Sequence, residues 1–185
     1  MKLPIVRYGD PILRAKGKRI VTVDAHVREL AANMIETMHL ANGIGLAAQQ
    51  VSEALQLTVI DVSGAEDQDS TMKLNGAEVD AKTSMPLQLL NPELTLGKET
   101  DLAIEGCLSF PEITADIRRA ISVVVRAQTF EGAPVEIEAS GLLARALQHE
   151  VDHLNGILFI DRMSAATKVA LRSRLKRMQK ENAPR

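Results

Sequence analysis

The run His149-Glu150-Val151-Asp152-His153 sets two imidazoles four residues apart. On a helix, positions i and i+4 stack on one face, so both rings can reach a single metal ion. Lone histidines are mostly structural, but a pair at this spacing around a glutamate is a metallohydrolase pattern. Glu150 falls inside the apolar stripe formed by Leu143, Ala146, Leu147, Val151 and Leu154 rather than on a wet side. A carboxylate there is partly desolvated, which raises its pKa, while a nearby divalent cation would lower it. One residue after a metal-binding histidine, it can take a proton from a metal-activated water and later hand it to a leaving amine. The structural alternative is a buried Glu150 paired with an arginine such as Arg119 or Arg126.

A catalytic site with two histidines needs a third protein ligand and one open position. Downstream of His153 there is no histidine, Glu181 is the sole glutamate, and Asp161 lies beyond the helix-ending Gly156, so the usual H-E-x-x-H protease arrangement fits poorly. Upstream, Glu105-Gly106-Cys107-Leu108-Ser109 holds the chain's one thiol. A thiolate with two imidazoles suits Zn²⁺ or Fe²⁺ and leaves a coordination position free. The third element is Gly43-Ile44-Gly45-Leu46-Ala47-Ala48-Gln49-Gln50. Its Gly-x-Gly follows a helix rather than a strand, which disfavours a dinucleotide turn. It does offer backbone open to close approach and, in Gln50, a carboxamide able to donate to a developing oxyanion. Glu105 and Gln148 are both candidates to orient a ligand imidazole.

Elements must bring these three segments together. Residues 1–23 mix turn signals with short apolar pieces and predict an extended arm lying on the body. Asp24 is the expected N-cap of a helix whose Val27, Leu30, Ala31, Met34, Ile35 and Met38 recur at helical period, ended by Asn42-Gly43. Leu57–Ser63 reads as a short buried strand, and Gly64–Pro86 as a long polar surface loop or insertion. Strands resume at Leu87–Leu90, then Ile121–Phe130 and Val135–Ala139 form a hairpin with one wet face. A second helix is predicted over 142–155 and a third over 164–180. The expected class is α+β: mostly antiparallel strands packed around a central metal-binding helix, with an N-terminal and a C-terminal helix, all in one domain over 1–185.

Composition narrows the classes. The 185 residues are 45% hydrophobic and 25% charged, as in a folded globule. A net charge of −2, three Phe, one Tyr and no Trp argue against a nucleic-acid substrate. One cysteine excludes an internal disulfide, and with no apolar signal core or 18-residue apolar run the expectation is a cytoplasmic protein off the membrane. Charge is uneven: residues 164–185 carry net +6 and the rest net −8, so the last helix is either a solvated face or a dock for something acidic such as ribosomal RNA.

The three segments, G-x-G-x-A-A-x-Q, E-G-C-L-S and Q-H-E-x-D-H in that order, closely resemble peptide deformylase, as do Asp10–Arg14, Asn91-Pro92, Gly141–Ala144 and Leu158–Asp161. The resemblance implies removal of the formyl group from the N-terminal formyl-methionine of nascent chains, with release of formate. It implies Cys107, His149 and His153 as metal ligands, natively for Fe²⁺ and replaceably for Zn²⁺, Ni²⁺ or Co²⁺. Glu150 would be general base and then acid, and Gln50 with the Leu108 backbone N–H would stabilise the oxyanion. Gly45 and Gly106 would let the peptide backbone pair alongside, Ile44 and Leu142 would line the methionine pocket, and the basic last helix would dock near the ribosomal exit. The 64–86 segment is longer than the resemblance leads one to expect, and Thr114 stands where some members carry a substrate-contacting arginine. Two readings compete with it: a metallopeptidase acting on internal bonds, and a non-enzymatic module bound through residues 164–185.

Overall fold

Asp24 accepts a hydrogen bond from Val27 N and opens helix α1, Ala25–Leu40. The helix stops where Asn42 takes a left-handed φ of 54°. Its Val27, Leu30, Ala31, Met34 and Met38 face β1 (Gly45–Ala47) and β2 (Leu57–Ile60) in one apolar cluster. The computed structural model describes residues 1–65 and 70–183.

Strands β3 (Met72–Leu74), β4 (Ala77–Val79), β5 (Leu87–Leu96), β8 (Ser122–Gln128) and β9 (Pro134–Ser140) join β1 and β2 in a seven-stranded antiparallel sheet, ordered β1-β2-β5-β8-β9-β3-β4. Two further strands, β6 (Thr100–Gly106) and β7 (Thr114–Ala120), form a separate antiparallel ribbon. The α+β class is as expected, with four α-helices among the described residues: α1, α2 (Gly141–Leu154), the four-residue α3 (Phe159–Arg162) and α4 (Ala165–Asn182), capped by Ser164.

The structure corrects the sequence reading in four places. The 64–86 segment is not a plain surface loop: Met72 and Ala81 are buried, and β3 pairs with β9. The Asn75-Gly76 turn, with positive φ at both residues, joins β3 to β4, and Asn75 exchanges two 2.9 Å hydrogen bonds with Glu136. Residues 66–69 of this segment lie outside the described residues. Second, the 87–90 strand runs on to Leu96, past a bulge at Asn91, whose φ is 52°. Third, the ribbon β6–β7 and helix α3 have no counterpart in the sequence reading. Fourth, α2 has no wet side. Every residue from Leu143 to Leu154 is buried, including Arg145, Gln148, His149, Glu150, Asp152 and His153. Buried polar groups at such density need partners, which is the constraint that shapes the site.

The N-terminal arm holds the pieces together. Val6 N donates to Gln50 O (2.8 Å) and Tyr8 N to Ser109 O (2.9 Å), tying two of the sequence motifs to one strap. Farther on, the Leu154 carbonyl at the end of α2 accepts from Gly17 N (2.9 Å), Gln56 Nε2 (3.0 Å) and Gln49 Nε2 (3.3 Å), which satisfies an otherwise orphaned acceptor.

Gly156 closes that end with φ of 73°, and a Cβ there would run into the Arg14 carbonyl oxygen. A side chain at this left-handed position costs about 1–3 kcal/mol before any backbone shift. Gly156→Ala is therefore expected to lower the melting temperature by several degrees in a thermal unfolding scan; an unchanged midpoint would refute the strain assigned to this turn.

Candidate metal centre and catalytic pocket

Helix α2 presents His149 and His153 one turn apart, with ring centroids 5.0 Å from each other. Cys107, just beyond the end of β6, brings Sγ to 3.2 Å from His153 Nε2. One ligand atom from each of Cys107, His149 and His153 lies within 4.8 Å of the others. A soft thiolate, two imidazoles and a buried location suit a divalent transition ion.

The outward nitrogen of His149 is fixed from behind. Its Nδ1 lies 3.1 Å from Glu105 Oε2, and an ionised carboxylate can only accept, so Nδ1 carries the hydrogen and Nε2 keeps its lone pair for the cluster. Of the two orienting candidates, Glu105 does this. Gln148 instead ties α2 to the end of β7, accepting from Ala120 N (3.0 Å) and donating to Ala120 O (2.8 Å). Glu105 is held in turn by Arg119, through Nε (2.9 Å) and Nη2 (3.1 Å), and by Arg145 Nη1 (2.8 Å). Burial alone would raise its pKa, yet the hydrogen bonds from His149 and Arg119 outweigh that and hold it down at about 2.

Glu150 is the opposite case. It is 4% exposed, and its Oε2 has no hydrogen-bond partner among the described residues. Burial pushes its carboxyl up to about 7, against the opposing charges of His149 and Arg119. The arginine-paired alternative for Glu150 fails: Arg119 serves Glu105 and Asp152, and Arg126 pairs with Glu136 on the surface. Gly45 explains how the carboxylate fits, since a Cβ on Gly45 would collide with Glu150 Oε1. Burial disfavours charge on both histidines. In His149 the hydrogen bonds to Cys107 and Glu105 reverse the balance and raise the pKa; in His153 nothing does, and it is lowered.

Gln50 is oriented by its neighbours. The Ala47 N–H can only donate, so Oε1 faces it (2.9 Å), which turns Nε2 toward Ser109 Oγ (3.2 Å) and Cys107 Sγ (3.6 Å). A cleft of about 450 Å³ opens over this arrangement, lined by Ile44, Gly45, Gln50, Gly106, Cys107, Leu108, Leu142, His149 and Glu150. His153 lies beneath it, 1% exposed. Nine of the ten sequence-predicted site residues thus share one cleft, whose rim also includes Thr114.

Sequence reasoning missed the ion network under the cleft: Arg119, Arg145, Asp152 and Arg162 as Glu105's supporting cast. Signals existed. Arg119 occupies the inward register of β7, after Ala115 and Ile117, and Arg145 and Asp152 fall at i−4 and i+3 from His149 on α2.

Three comparisons bear on this geometry. Residues 2–169 match the family model for polypeptide deformylase. A peptide deformylase of Opitutus terrae is 47% identical over 182 residues, covering 97% of this chain and 94% of that protein, and one of Methylacidiphilum infernorum is 43% identical over 99% and 96%. Among solved structures, a plant peptide deformylase superposes with a TM-score of 0.83 at 37% identity, covering 97% of this chain and 90% of the other. The Thermotoga maritima peptide deformylase gives 0.75 at 38%, covering 89% and 99%.

Arg119 neutralises two buried carboxylates at once. Breaking a buried pair by removing one partner costs about 3–5 kcal/mol, whereas an exposed pair is worth about 0–1. Arg119→Met should therefore shift the denaturant midpoint far more than Arg126→Met; equal shifts would contradict the burial argument.

Proposed function

The chain belongs to the polypeptide deformylase family, an enzyme family that removes the N-formyl group from nascent peptides, and on that premise we propose how its own residues do so. The observation that carries the proposal is a Cys107–His149–His153 cluster, half-buried at the thiol and buried at both imidazoles, with Glu150 Oε2 unpartnered among the described residues and an open cleft above. Those three side chains would hold one divalent ion, Fe²⁺ by preference, with Zn²⁺, Ni²⁺ or Co²⁺ as replacements. When bound, the ion supplies a Lewis acid that polarises the formyl carbonyl and lowers the pKa of water toward neutrality.

Glu150 accepts the proton of the attacking water on Oε2 and delivers it to the methionine nitrogen as the formyl C–N bond breaks and formate leaves. The lack of a direct guanidinium contact suits both halves of that task, because a strongly paired carboxylate would keep no affinity for the proton. Gln50 Nε2 and the Leu108 backbone N–H donate to the charge that develops on the formyl oxygen. Both are held before substrate arrives, Gln50 through Ala47 and Leu108 through its place directly after Cys107. Ile44 and Leu142 receive the methionine side chain, whose unbranched thioether adapts to an apolar wall. Gly106 leaves the substrate backbone room to lie alongside, and Gly45 lines the same cleft with its Cβ side closed by the Glu150 carboxylate. At Gly106 the nearest atoms to an added Cβ, Thr114 Cγ2 and Ile113 O, stand at ordinary contact distance.

Residues 1–185 act as one catalytic unit. The last helix, α4, has no buried residue and carries most of the basic excess of residues 164–185, so we assign it docking on ribosomal RNA near emerging chains. The single, oxidisable thiol suits a reducing cytoplasm. No helix among the described residues is long and apolar enough to cross a membrane.

The test is formate release from a formyl-methionyl peptide by anaerobically purified protein. Glu150→Gln should retain one metal per chain by elemental analysis while losing at least about a hundredfold in kcat, and near-normal turnover would remove Glu150 from the mechanism. Chelation should abolish formate release and re-added Co²⁺ or Ni²⁺ restore it; activity that survives complete metal removal refutes the ligand assignment.

A further inference from the structure

Arg162 lies on α3, outside the cleft, with its side chain 46% exposed. It grips Asp152 with two hydrogen bonds, Nε to Oδ2 (3.1 Å) and Nη2 to Oδ1 (2.7 Å). Asp152 Oδ2 also accepts from Arg119 Nη1 (2.5 Å), and the remaining edge of Arg119 holds Glu105. Glu105 Oε2 then accepts from His149 Nδ1. Four side chains of alternating charge thus run unbroken from the surface to the back of an imidazole.

The hydrogen-bond count along this chain makes Arg162 more than a surface ion pair. Arg119 gives one N–H to Asp152 and two to Glu105. It can afford that division only while Arg162 satisfies the rest of a nearly buried Asp152 carboxylate. Without Arg162, Asp152 keeps a single donor, and the favourable response is for Arg119 to turn its paired nitrogens toward it. The loss then falls unequally on Glu105. Its Oε1 is shared between Arg119 and Arg145 and keeps a guanidinium either way; its Oε2 is shared between Arg119 Nη2 and His149 and keeps none. Oε2 is the oxygen that orients His149.

We propose that Arg162 is a positioning residue: acting through Asp152 and Arg119, it holds Glu105 square against His149 Nδ1 and so fixes the direction in which Nε2 meets the metal. This rests on the reading of His149 as a ligand. Helix α3 supplies its own control, because Arg14 pairs with Asp161 on the same short helix and makes no bond to Asp152. Losing either arginine loosens α3, but only the loss of Arg162 reaches Glu105.

The experiment uses full-length protein loaded with Co²⁺. It follows the visible d–d and thiolate-to-cobalt bands, and the rate of Co²⁺ loss into excess chelator, well below the melting temperature. Removing outer partners of a metal-bound histidine typically costs 10–100-fold in affinity, and Arg162 stands two links further out, so Arg162→Met should speed Co²⁺ loss about tenfold and shift the d–d band. Arg162→Lys should recover only part of this, since an ammonium cannot make the two-pronged contact. Arg14→Lys, which keeps the positive charge near His153 but loses the two-pronged grip on Asp161, should lower the melting temperature while leaving rate and spectrum as in the wild type. A wild-type rate and spectrum in Arg162→Met overturns the relay, as does an equal change in Arg14→Lys. Wild-type protein that binds no Co²⁺ overturns the ligand reading itself, and the relay with it.

Discussion

A carboxylate almost without access to water sits at the centre of this molecule. Glu105 is 6% exposed and ionised, a state that a low-dielectric interior tolerates only when every lone pair is matched. Two guanidinium groups and one imidazole supply the match, and they come from two elements: Arg119 from β7, Arg145 and His149 from α2. Satisfying one charge therefore docks the helix on the ribbon. Because Cys107 follows Glu105 by two residues, the same docking brings the thiol against the two histidines. The meeting of Cys107, His149 and His153 then follows from burying Glu105.

Glu105 and Glu150 are alike in burial and opposite in state. One is held at about 2 by the groups gathered round it; the other is pushed to about 7 because none are. Arg119 could have served either, and its direct contacts go to Glu105 and Asp152. That division leaves one carboxylate to fix geometry and the other with the proton affinity that the proposed role of Glu150 requires, the separation of roles that acid–base sites achieve through environment rather than residue type. It also explains why the support beneath the cleft is so strongly charged. Each guanidinium spent on structure is one kept away from Glu150.

Much of this was legible in sequence, and what was not shares a physical origin. The long helices announced themselves through apolar period and terminal signals, with a cap at Asp24, and the residues of the Cys107–His149–His153 cluster and of the cleft around Gln50 through three local motifs. The β6–β7 ribbon did not, because the site it builds inverts the polarity of β6 and puts one charge on the inward face of β7. On β6 the apolar Leu102 and Ile104 face outward while Glu105 points in; on β7 Arg119 takes an inward register. A pattern that assumes apolar-in and polar-out cannot find such strands. Charges on the inward face of an alternating segment were the available signal, and they mark the places where burial serves function rather than folding. The β3–β4 hairpin was hidden for a plainer reason: three-residue strands carry too little alternation to stand out, although Asn75-Gly76 spelled its turn.

Glycine's part in this arrangement differs from the one its sequence context suggests. Two glycines in a segment beside a cleft read as room for a ligand's backbone, and Gly106 has that room. Gly45 does not have it on its Cβ side, where the space is already taken by the Glu150 carboxylate. The close approach shields Glu150 from water with backbone, which brings no charged group of its own. A larger residue would meet the Glu150 carboxylate and force it to shift. In this protein the missing side chain at Gly45 therefore has an electrostatic effect: it lets the catalytic candidate stay dry without being paired.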